Sequence, residues 1–413
     1  MSLGPTIPAS LIPIGASAEN EVVDDNQPSP NSFPLSPQSS ISPYGFGFPL
    51  SNREEARYLM HYIQELAPWE QVDITDPAQT FALEVPKRAR QFPLLAYSIL
   101  AFSSRHLVLM TGKECGDTER YYSCALRILI PILDDSDVSI NENLLAAVVL
   151  LRLYEEMTEV DAGIHLQGGS RLLNDVSNFA ARGGLGEAAS WIVLRQDLHV
   201  SLIRSEPMRV NLSSYEQAKS FEHPNDETIT NRAVLLCCQV LAAAFGGLDT
   251  NTWARLNDEV TQWHDNLPPH YRPHYCSAGT PDSKTGSVFP IMWLTHPAHV
   301  LGFQHYHLAR MFLQIFEPRL WLPSLHTVEE RLMVDKSVLS HLRMAIGLAI
   351  HNASVVGATF TAHHVLYACG IYFSDFAERR EVLSFLDGMS TSIGWPTGRL
   401  QAKLNKVWFT NDR

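Results

Sequence analysis

Four histidines crowd one stretch of the chain, His296, His299, His305 and His307 in "THPAHVLGFQHYHLARMF", and imidazole is a common zinc ligand. Their spacing argues against a shared metal. On a regular helix His296 and His299 can share a face, whereas His305 and His307 point about 200° apart, and no HExxH pattern accompanies them. The stretch therefore reads as helix carrying paired or surface histidines, and no metal site or cofactor is expected. A second candidate closes the run "LLAAVVLLRLYEEM", where Arg152 stands three and four residues before Glu155 and Glu156. That spacing brings all three charges to one helix face, the arrangement of a structural ion pair at the exit of a buried helix. No catalytic residue is assigned to it.

Other chemistry is tested and set aside in the same way. Asp134, Asp135 and Asp137 in "ILDDSDVS" resemble the aspartates that hold magnesium diphosphate at a helix end, but the required second motif fails. "NDVSNFAAR", from Asn174, lacks the Glu at its expected place, so the aspartates read as a solvated loop. The glycines of "HLQGGSRLL" and "ARGGLGEA" match neither GxxxxGK[ST] nor a dinucleotide fingerprint, and Gly168 and Gly169 read as a close helix approach. No G-x-S-x-G elbow is present. Cys115, Cys124, Cys237, Cys238, Cys276 and Cys369 form no CxxC pair, which excludes the usual zinc and disulfide frameworks and leaves small core hydrophobes. The densest basic cluster, "PKRAR", is short. A formal net charge of -13 over 413 residues repels DNA phosphates.

The elements that would carry these residues are helices. Residues 1–50 are rich in Pro and Ser, with no Lys or Arg before Arg53. Such a tail cannot bury enough apolar surface to fold and is expected to be disordered, with Ser-Pro pairs open to phosphorylation. From residue 51 onward one all-helical region is expected to run to residue 413. Ser51 with Glu54, and Ser139 with Glu142, have the spacing of capping boxes. The helix 144–157 is too short to cross a membrane before meeting Arg152, and no secretory signal opens the chain. Trp253, Leu256, Val260, Trp263 and Leu267 draw one apolar stripe, ended by Pro268 and Pro269. Further helices are expected near 93–110, 117–133, 162–178, 188–204, 230–246, 290–316, 334–356, 361–388 and 397–409. Loops are expected at 211–229 and 271–287, and no period-two strand pattern is found. The expected fold class is all-α: a large multi-helix regulatory domain behind a disordered tail.

Several segments, in order, resemble one family. "YIQELAPWEQVDI", "VPKRARQFPLLAYSILAFSSRHL", "YYSCALRILIPIL", "NLLAAVVLLRLYEEM", "HLQGGSRLL", "WIVLRQDLHVSLI", "YHLARMFL", "AIGLAIHN" and "IGWPTGRLQAKLNKVW" are similar to the regulatory domain of fungal transcription factors, the type that usually follows a binuclear zinc cluster. The resemblance implies an all-helical regulatory region, a nuclear location with the cytoplasm as the alternative, and control of gene expression. Protein partners in a homo- or heterodimer are implied too; a small-molecule effector is expected from the regulator reading, and no membrane from the helix lengths. The family reads DNA with six clustered cysteines. This sequence departs there, since no cysteine precedes Cys115, and direct DNA binding is not expected.

Two readings stay open. One is a transcription regulator acting through partners or an effector. The other is an enzyme or ligand-binding protein of a biosynthetic pathway on the same helical fold. In either, the pocket should lie between helices, with Glu155, His165, Arg195 and Asp197 as its candidate residues.

Overall fold

The computed structural model describes residues 50, 52–69, 76, 78–113, 116–135, 140–158, 179–279, 286–321 and 326–410. The tail 1–49, the expected helix 162–178, His165, Gly168, Gly169, Asp137, Cys115, Ser51 and Ser139 lie outside them.

The described residues are overwhelmingly helical. Helix α1 (Arg53–His61) runs into a π turn (Tyr62–Leu66). It is followed by α2 (Thr80–Ala89), α3 (Pro93–Thr111), α4 (Asp117–Asp134) and α5 (Glu142–Glu156). Then come α6 (Gly184–Arg204), α7 (Asp226–Gly246) and α8 (Thr250–Asp265). After them stand α9 (Pro297–Ile315), α10 (His326–His351), α11 (Val356–Cys369), α12 (Phe376–Ser392) and α13 (Gly398–Thr410). Between α8 and α9 a small antiparallel ribbon joins β1 (Tyr275–Ser277) to β2 (Ile291–Trp293), with Cys276 opposite Met292.

Packing follows the distribution of apolar residues. Helices α3 and α5 are apolar on nearly every face and are buried all round, with Leu145, Leu150 and Leu151 fully enclosed. Each such leucine contributes about 2 kcal/mol by leaving water. Helix α3 lies against α1, α2, α4 and α5, while α6 touches α2, α5, α7 and α11. Helix α9 packs between α7 and α10. One hydrophobic core reaches from Tyr62 to Trp408, and a smaller aromatic cluster of Tyr58, Tyr121 and Tyr154 lies beside it. Helices α3 and α7 are long and apolar enough to cross a membrane, yet more than half of each is buried in this fold.

Element ends depart from the sequence expectation where a neighbouring residue caps better. Asn52, one residue after Ser51, accepts the Glu54 N–H at 2.9 Å. Asn141 accepts the N–H groups of Asn143 and Leu144, each at 3.0 Å, so it caps α5 in place of Ser139. The helix expected from residue 290 begins at Pro297, because proline fixes the first helical position and His296 caps it. Residues 291–293, read as helix, are strand β2. The helix expected over 361–388 is two helices. Asp375 accepts the N–H groups of Ala377 and Glu378, starting α12 after a 3₁₀ turn at Gly370–Tyr372. The loop expected over 211–229 carries 3₁₀ turns and the first residues of α7.

Candidate functional site

The charges at the exit of α5 meet as their spacing requires. Arg152 Nη1 lies 3.7 Å from Glu155 Oε2 and its Nε lies 3.3 Å from Glu156 Oε1, all three side chains buried. From α4, Tyr122 donates to Glu155 Oε1 at 2.7 Å. Burial, and then this bond to Glu155, push the Tyr122 hydroxyl pKa up. The group is a buried ion cluster that pins α4 to α5.

Arg195 and Asp197 both lie buried on α6, and both are within electrostatic reach of Tyr215 and Cys238. Asp197 Oδ2 accepts the backbone N–H groups of Arg209 at 2.7 Å and Val210 at 3.0 Å, fastening the segment after α6. Burial pushes its carboxyl pKa up against the pull of those two bonds. Arg195 lies within electrostatic reach of His199 and His305. Glu155 stays with Tyr122 and Arg152 at the end of α5.

Around Arg195 is a centre that sequence spacing does not reveal. His305 Nδ1–H donates to the Leu301 carbonyl at 2.8 Å, and His364 Nδ1–H donates to Phe360 at 2.8 Å. Both rings therefore turn Nε2 outward as an acceptor. His199 stacks on His364, with centroids 4.0 Å apart and planes 6° from parallel, and neither of its ring nitrogens has a hydrogen-bond partner. Burial lowers the pKa of His199 far below the ordinary range and that of His305 to about 4.

The other crowded histidines also find partners. His296 caps α9, and His299 and His270 bind the two oxygens of Asp226 at 2.8 and 2.9 Å. Burial would raise the Asp226 carboxyl pKa, but these two bonds outweigh it and hold it below the usual range. His307 meets His341 of α10 at 2.8 Å. Among the described residues no three His, Cys, Asp or Glu side chains are placed to hold a metal ion.

Cys124, Cys237, Cys238 and Cys369 are buried thiols and Cys276 is exposed. Burial pushes the Cys369 pKa up to about 12, which keeps it a thiol rather than a nucleophilic thiolate. Asp134 ends α4 and Asp135 caps it.

Among the described residues an open site lies between α7 and α8, a groove of about 710 Å³. Its floor is Ile229, Leu235, Leu236, Trp263 and Leu267, and its rim carries Glu216, Arg232, Gln239, Arg255, Glu259 and Gln262. Trp263 is fixed by its Nε1–H, which donates to the Ile229 carbonyl at 2.9 Å. Of the stripe read from the sequence, Trp263 and Leu267 line the groove, Leu256 and Val260 are buried, and Trp253 donates its Nε1–H to the Leu313 carbonyl at 2.8 Å. Arg255 pairs with Glu259 at 2.8 Å, Gln239 donates to Glu216 at 3.0 Å, and the Arg232 guanidinium lies 4.1 Å over the Phe221 ring. The volume and the mix of apolar floor and polar rim suit a small organic molecule or one face of a short helix.

Residues 57–202 match the family model of the fungal specific transcription factor domain. The likeness to that domain covers 146 of the 413 residues. A relative, the transcription activator AMTR1 of Alternaria alternata, is 25% identical over 172 residues, which cover 39% of this chain and 22% of that protein. The chain thus matches about a fifth of that relative's length. No solved structure matches. The domain includes Glu155, Arg195 and Asp197, whereas the α7–α8 groove lies beyond its last matched residue.

Proposed function

We propose that the protein is a nuclear transcription regulator whose helical region is controlled by an effector or partner segment seated in the α7–α8 groove. The match of residues 57–202 carries this reading. The groove adds to it a concave, apolar-floored site with polar groups at its rim, and α7 packs on α6, the last helix of the matched segment. Occupancy would bias an equilibrium between two arrangements of these helices, and output would follow the bias. The net charge of -13 opposes non-specific contact with DNA. Promoters are therefore reached through a protein partner, with the chain acting as a homo- or heterodimer. Arg195 and His199 lie on α6, on which α7 packs, and are the polar centre that would transmit the bias.

The test compares transcripts in a gene deletion and in a strain carrying Arg232→Glu with Gln262→Trp. These rim changes reverse a charge and fill the groove without touching the core. Both strains should misregulate the same genes. Unchanged transcripts in the deletion would refute the regulator, and unchanged transcripts in the groove variant alone would refute the groove.

A further inference from the structure

Two pairs of histidines join the matched segment to the C-terminal helices. In the first, His61 of α1 donates Nε2–H to His106 Nδ1 of α3 at 2.8 Å, and His106 donates its own Nε2–H to the Ile393 carbonyl at 3.0 Å. The carbonyl can only accept, so the neutral His106 ring is fixed with its lone pair toward His61. The second pair is the stack of His199 on His364, which joins α6 to α11.

A line of rings connects the pairs. Trp69 stands edge-on to His106 at 4.8 Å and meets Phe360 at 5.5 Å, and Phe360 packs on Trp395 at 4.2 Å. Trp395 then lies 6.4 Å from His363, the chain neighbour of His364. We propose that this seam is an acid-responsive joint, held shut by two pairs of neutral imidazoles and opened when they gain protons.

The surroundings favour that response. Arg57 of α1 and Glu65 of the π turn face the first pair. Arg195 of α6, His305 of α9 and His363 of α11 face the second. Glu65 is the one carboxylate among these groups. A proton on His106 Nδ1 turns donor against donor at His61, and a proton on each ring of the second pair places two cations 4.0 Å apart.

Burial first, and after it His364, His305 and Arg195, hold His199 far below its ordinary value. Burial likewise holds His106 at about 4, against an ordinary 6.5. A histidine whose pKa is lower in the closed form favours closure at high pH. Closure is therefore complete above 6.5 and is lost as pH falls toward 4. From pH 7 to pH 5, the ratio of open to closed rises roughly 20-fold for His106 alone, and several hundredfold if His199 titrates with it. This inference does not depend on the groove.

Hydrogen–deuterium exchange on the full chain, corrected for the pH dependence of intrinsic exchange, tests it between pH 7 and pH 5. Peptides covering 101–111, 193–204, 358–369 and 386–397 should lose protection together, ahead of those from the α7–α8 pair. The variant His106→Gln, whose amide can donate to Ile393 and accept from His61, combined with His199→Phe and His364→Phe, should keep the seam closed at pH 5. Protection that persists to pH 5 in the native chain, or that is lost equally in the variant, overturns the joint. If the variant fails to fold, imidazole resonances of the native chain decide. An apparent pKa of 6.5 or higher at His106 overturns the proposal, and one below about 6 supports it.

Discussion

Asp197 offers a sharp test of whether a buried carboxylate of α6 serves structure or ligand binding. Its Oδ2 satisfies two backbone N–H groups, those of Arg209 and Val210, and its pKa is raised by burial despite them. A carboxylate whose pKa is raised on folding is worse off ionised in the fold than in the unfolded chain, so at neutral pH its charge costs stability. The hydrogen bonds and the charge should therefore separate on substitution. Asp197→Asn keeps an acceptor oxygen and removes the charge, and should change unfolding free energy by no more than about 1 kcal/mol, with a small gain allowed. Asp197→Ala strands two backbone donors at about 1–3 kcal/mol each, a loss of roughly 2–6 kcal/mol out of a total near 5–15. Urea unfolding followed by circular dichroism should place the Ala midpoint roughly 1 M below the native one, with Asn beside the native. If Asn proves as damaging as Ala, the charge itself is needed and the structural account of Asp197 fails.

Arg152→Met leaves Glu155 and Glu156 buried without that cation and should cost about 3–5 kcal/mol. Adding Glu156→Gln should recover part of the loss, and urea midpoints unchanged by Arg152→Met would contradict the ion cluster. Gly302→Ala gains about 1 kcal/mol of helix propensity, but the new methyl runs into Tyr271 Oη, so a net loss of about 1–3 kcal/mol is expected; a higher melting temperature would refute the contact. Burial lowers the pKa of both His305 and His341 to about 4. The stability they confer should be whole above pH 6.5 and fall by about 1 kcal/mol per pH unit for each as pH drops toward 4. Unfolding midpoints that stay flat from pH 7 to pH 5 would contradict their burial as neutral rings.

The helical class was legible because it rests on periodicity, and of the Trp253 to Leu267 stripe, Trp263 and Leu267 line the groove. The exit of α5 was legible for the same reason, since i+3 and i+4 spacing is local geometry. What escaped depends on contacts far apart in sequence. His106 meets Ile393 from 287 residues away, and no window of sequence couples them. The crowding of His296, His299, His305 and His307 drew attention along the chain, whereas their partners, Asp226, the Leu301 carbonyl and His341, lie mostly on other elements. The cap errors have another cause: Ser, Asn and Asp compete for the same backbone donors, so Asn52 and Asn141 take helix starts read for neighbouring serines. Asp375 and Glu378 did carry a D-x-x-E signature, and the continuous apolar run around them concealed it.

Helix α6 also bears on how such a protein could be inherited in pieces. The family match stops at residue 202, two residues before α6 ends. That helix presses Trp191 on Tyr215, and His199 on His364, both outside the match. A recombination event that carried only residues 57–202 into another gene would deliver a helix with those faces bare to water, a surface prone to clumping. The unit that buries those two faces of α6 therefore extends beyond the matched segment, through at least α11.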